Sequence, residues 1–243
     1  MLNLKNLGNK TANSSVTQIS REISEISIVL NTSDYIKETL SSVIDLLQSL
    51  LEAPFGSNVT FVEVEKVCLK VINNAVFGLK SYFLASYPGF GEFSVKKGEF
   101  NERMRIIADD LRGVVGSVYL GKVLSGVCKE IITDWQDSML TAGRRFKEGD
   151  NERLVTEFTE IRDILMSVGK DEEGENLSKL YINLVTKSSE KTLNLIKMLG
   201  INNSQLIDNL SSFKGSVSTT ELEKILIIKG FKKTEIQKVL SQM

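Results

Sequence analysis

Seven of the eight arginines of this chain fall between Arg103 and Arg162. Arginine's planar fork suits phosphate oxygens better than any other side chain. Arg144-Arg145-x-Lys147, set between Gly143 and Gly149, is the one tight basic group. Together with Arg103, Arg105 and Arg112 it could line a groove for single-stranded nucleic acid, with Phe90 and Phe93 as rings on which bases stack. The same window holds Asp109, Asp110, Glu148, Asp150, Glu152, Glu157, Glu160 and Asp163. Several sit four residues from an arginine, as Asp109 does from Arg105, which is the spacing of ion pairs along a solvated helix. Ion pairing is the favoured account of the arginines.

Reaction chemistry has little to work with. The chain contains no histidine, so it has no Ser-His-Asp or Cys-His pair and no imidazole base. Cys68 and Cys128 both lie in apolar runs and read as buried free thiols; they are too few for a zinc site. Asp109 and Asp110 are adjacent and point to different sides of a helix. Asp134 and Asp137 share a face beside Trp135, a common arrangement on amphipathic helices. Phosphate-loop, dinucleotide-fold, nucleophile-elbow and metalloprotease signatures are missing. The expectation is a protein that is not an enzyme and has no cofactor or metal.

The elements that must position these residues are helical. With 243 residues, a net charge of -1, 42% hydrophobic and 25% charged residues, the composition is that of a globular chain rather than a basic nucleic-acid tail. Val16, Ile19, Ile23, Ile26 and Leu30 step by three and four, as do Ile36, Leu40, Val43, Leu47 and Leu50, with Asn31-Thr32-Ser33-Asp34 read as a break between two helices. A third helix is predicted from Phe61 to Ser86, opened by a Thr60/Glu63 capping box and buried over much of its surface. Residues 87–100 (YPGFGEFSVKKGEF) read as an aromatic, Gly-rich loop. Asn101 to Ala142 reads as a long helical segment weakened by Gly113, Gly116, Gly121 and Gly126, with an interruption near Gly121 as an alternative.

Further helices run from Asp150 to a stop at Gly169, and from Leu177 to Gly200, with the polar stretch Lys187–Glu190 as a point where the second divides. Short units follow, at about Ser204–Phe213, Thr219–Lys229 and Glu235–Met243. Ser218/Glu221 and Thr234/Gln237 are read as capping boxes and Gly230 as a helix stop. Leu210 to Glu221 has a local resemblance to an EF-hand loop, with glycine at the sixth place and glutamate at the twelfth. Leu210, Ser212 and Lys214 stand where ligands should be, so calcium is not expected. Lys232, Lys233 and Lys238 allow a helix-turn-helix reading, but few base-reading side chains accompany them.

The fold expected is an all-α multi-helix bundle (1–200) with a small C-terminal helical appendage (201–243). No transmembrane segment is predicted, because Gly113–Gly121 is too short to cross a bilayer. The first eight residues are too polar for a signal peptide, which points to a cytoplasmic or host-cell interior location. The leading functional reading is a non-enzymatic interaction or assembly protein that self-associates. The alternatives are a nucleocapsid-type protein binding RNA or single strands, and a helical membrane-active protein using Gly113 to Val127.

Overall fold

A computed structural model describes residues 16–51, 59–141, 150–170, 178–213, 215 and 217–241. Arg144, Arg145 and Lys147 lie outside the described residues. The protein is an all-α bundle, and the described residues form helices without a strand. In chain order these are α1 (Val16–Leu51), α2 (Val59–Ser86), α3 (Phe93–Arg112), α4 (Ser117–Met139), α5 (Asp150–Val168), α6 (Lys179–Gly200), α7 (Asn203–Asp208), α8 (Leu210–Phe213), α9 (Thr219–Ile228) and α10 (Lys233–Leu240).

The chain divides into two compact units, one holding Met1–Ser86 and Glu99–Val127, the other Tyr87–Gly98 and Cys128–Met243, so far as these are described. The divide thus runs inside the expected 1–200 bundle, and the last helices pack within the second unit.

In the first unit α1 is one continuous helix of 36 residues, not two. The residues expected to break it are used by partners distant in sequence. Asn31 donates its side-chain amide to the Val114 carbonyl at 2.7 Å, and Asp34 accepts from the Tyr119 hydroxyl. Ser33 faces inward and is buried. A capping residue whose side chain is engaged elsewhere no longer competes with the helix backbone. Ile19, Ile23, Ile26 and Leu30 are buried as their spacing predicts.

Along α2, Cys68, Ile72, Ala75, Leu79 and Phe83 are buried at helical spacing, and α1 packs along this helix. The helix starts at Val59, ahead of Thr60, so the expected Thr60 cap does not mark its beginning. Two bonds fix this unit across helices: Tyr82 donates to Glu22 at 2.6 Å, and Ser20 donates to Asp110 at 2.6 Å. The glycine interruption falls at Gly113–Gly116, between α3 and α4, rather than near Gly121. Gly126 stays inside α4, where the flexible Lys80 side chain lies against it.

The second unit centres on Trp135, fully buried between Phe90 (ring centroids 5.1 Å, edge-on) and Phe158 (4.9 Å). The helix α6 does not divide at Lys187–Glu190. Ser189 and Thr192 turn inward, and Gln136 donates to Thr192 at 2.6 Å. Gly169 follows α5 as expected. Its role, however, is to admit the Tyr181 ring, which a Cβ would meet at 2.4 Å. The Ser218/Glu221 capping box forms, whereas α10 starts two residues earlier than expected, with Glu235 accepting from the Lys232 backbone at 2.7 Å. Gly230 takes φ 83°, and Phe231 donates to Leu226 while Gly230 donates to Ile227. Those two bonds satisfy the last carbonyls of α9.

Candidate functional site

Within each unit, most of the described arginines are taken up by acidic neighbours. On α3, successive residues turn by about 100°, so Arg105 and Arg112 share a side that Arg103 does not. Arg103 pairs with Glu99 at 2.9 Å. Arg112, not Arg105, takes Asp109, which corrects the expected Arg105–Asp109 pair. In the second unit Arg153 approaches Asp150 and Glu157, and Arg162 pairs with Asp163. Of the two proposed stacking rings, Phe93 is committed to the core. Phe93 is fully buried at the start of α3, which begins inside the expected 87–100 loop, and Phe90 packs on Trp135. A base cannot stack on the buried Phe93 ring, whereas Phe90 is half-buried and meets Trp135 in an edge contact.

The candidate carboxylate pair is likewise divided. Asp134 lies beside the Tyr87 hydroxyl, where burial first, then that carboxylate, raises the tyrosine pKa. Asp137 pairs with Lys224 at 3.1 Å. Burial pushes the Cys128 thiol up to about 12, far from the thiolate that nucleophilic chemistry needs. Among the described residues no group of His, Cys, Asp and Glu could hold a metal. No described helix is long and apolar enough to cross a membrane.

Glu221, the twelfth residue of the EF-hand-like loop, accepts from the Ser218 backbone at 2.9 Å and pairs with Lys191 at 2.8 Å. Burial opposes its charge, but the Lys191 and Ser218 bonds outweigh that and lower its pKa. A lowered folded-state pKa gives stability that is full above the ordinary carboxylate range and is lost as pH falls through the lower value. Glu221→Gln should therefore be less stable than the parent at pH 7, with the gap narrowing as pH falls below the ordinary carboxylate range, as measured by urea midpoints. A gap that does not change with pH would contradict the pairing.

Among the described residues, most of the large apolar side chains left exposed lie on α1 and α2. Ile28, Tyr35, Ile36, Val43 and Leu46 are exposed on α1, and Val62, Val64, Val67, Leu69 and Phe77 on α2. Tyr35 keeps 69% of its surface exposed, Val67 59% and Leu46 58%. Only part of this was legible in the sequence. The stripe Ile36, Leu40, Val43 promised burial, yet Ile36 and Val43 stay exposed, and α2 is covered mainly toward its C-terminal half.

None of the known protein families, curated proteins or solved structures compared with the chain matches it. The reading therefore rests on the exposed α1–α2 pair itself. Scattered exposed apolar residues are ordinary; here ten of the exposed large apolar side chains lie on one helix pair.

Proposed function

We propose that the protein is a non-enzymatic helical interaction or assembly protein whose binding surface is the α1–α2 pair. The observation that carries this reading is the concentration of exposed Val, Leu, Ile, Tyr and Phe side chains on those two helices. Water solvates such surface poorly, and covering it with a partner releases about 25 cal/mol per Å². The ion pairs of Arg103, Arg112, Arg153 and Arg162 and the burial of Phe93 weigh against the nucleic-acid alternative.

The test is a Val67→Ser, Leu69→Ser, Phe77→Ser variant. All three side chains are exposed, so the fold should be kept, with stability changed by no more than about 0.5 kcal/mol for each. Size-exclusion profiles of lysate from the source cells should show the wild type in complexes and the variant released from them. Retention of the same complexes would refute the reading. Binding of single-stranded RNA that falls steeply with salt would favour the arginine alternative instead.

A further inference from the structure

The C-terminus of α6 is closed by a lysine from another helix. The last carbonyls of a helix have no partner within it. Here Lys229, at the C-terminal cap of α9, donates its Nζ to the Leu199 carbonyl at 3.1 Å and to the Ile201 carbonyl. A cation in this place also faces the negative end of the α6 dipole. The chain that Lys229 grips reaches back toward it: the Asn203 side-chain amide approaches the Lys229 carbonyl at 3.5 Å.

At the other end of α9, Lys191 of α6 pairs with Glu221 at 2.8 Å. The steps from Lys191 to Leu199 and from Glu221 to Lys229 are equal, about 12 Å of helix each, so α6 and α9 lie side by side and point the same way. Two parallel neighbours need a connection that returns along their length, and α7 and α8 begin it. These helices have six and four residues, too few to persist by their own backbone bonds. Leu206, Leu210 and Phe213 anchor them by burial, while Ile207 stays exposed.

We infer that Lys229 is the catch of a strap: by bonding the carbonyls at the α6–α7 junction it holds α7 and α8 closed, and without those bonds the strap opens while α5 and α6 stay folded. The catch is poised rather than permanent. Burial opposes the charge of Lys229 and lowers its pKa from the ordinary lysine value, so closing the strap removes hydration that the two carbonyls must replace. Segments held by few buried anchors are the ones that open locally. An open strap turns Leu206, Leu210 and Phe213 toward water, an apolar surface that the closed form hides.

Native-state hydrogen exchange on the full chain tests this through the amides of Leu206 and Asn209, which bond the Asn202 and Gln205 carbonyls along α7. In Lys229→Met they should exchange roughly ten- to a hundredfold faster than in the wild type, the effect of losing charge-assisted hydrogen bonds. The amides of α5, and of α6 before Lys191, should keep their rates. Lys224→Met, which removes the exposed pair with Asp137 on the same helix, should leave all of these rates alone. The inference is overturned if the α7 amides keep their rates in Lys229→Met, if α5 and α6 accelerate to the same degree, or if Lys224→Met opens the strap as well.

Discussion

Replacing Trp135 by alanine is expected to cost about 3–5 kcal/mol of stability, the range for emptying a fully buried large aromatic site. Trp135 is the largest fully buried side chain, and its ring holds Phe90 edge-on and Phe158 tilted against it. Removing it takes away both ring contacts and leaves a cavity between α4, α5 and the turn before α3. Trp135→Phe should be far milder. It keeps most of the apolar volume, and it deletes an indole N–H that is buried without a hydrogen-bond partner. Guanidinium denaturation read by far-ultraviolet circular dichroism would check the pair. Similar losses for the two variants would contradict the cavity account.

The second large effect is expected from the smallest change. Gly169→Ala should destabilise by about 1–3 kcal/mol, as over-packing does, although alanine favours helices. A Cβ at this position would stand 2.4 Å from one ring carbon of Tyr181 and 2.6 Å from another. The ring cannot easily withdraw, because its hydroxyl donates to the Leu165 carbonyl at 2.7 Å in the core. Tyr181→Ala would cost stability by itself but would make room, so the double variant should lose less than the sum of the two. Additive losses in such a cycle would mean the two residues do not meet.

The helical class was legible because apolar side chains at three- and four-residue spacing report a buried face wherever the local sequence decides the outcome. Ser218 with Glu221 and the stop at Gly230 are of that kind, since each motif is complete within a few residues. Asn31 and Asp34 were misread as part of a break because their partners, Val114 and Tyr119, are more than eighty residues away in sequence. Gly169 gave a correct boundary for a different reason, the ring of Tyr181. The exposed apolar side chains of α1 and α2 were the least legible feature. Periodicity places Ile36 and Val43 on a stripe, but whether a neighbour covers that stripe depends on how far α3 and α4 reach along α1. Phe93 failed as a stacking ring because α3 begins at that residue and turns it into the core.

The central claim is that the α1–α2 pair binds protein, and site-specific photo-crosslinking tests it most directly. A photoreactive residue would replace Val67 on α2 in one chain and the exposed Thr156 on α5 in another, each expressed in the source cells. Illumination should yield covalent adducts with protein from position 67 and few or none from position 156. Adducts with nucleic acid, or equal yields from the two positions, would contradict the assignment of this surface.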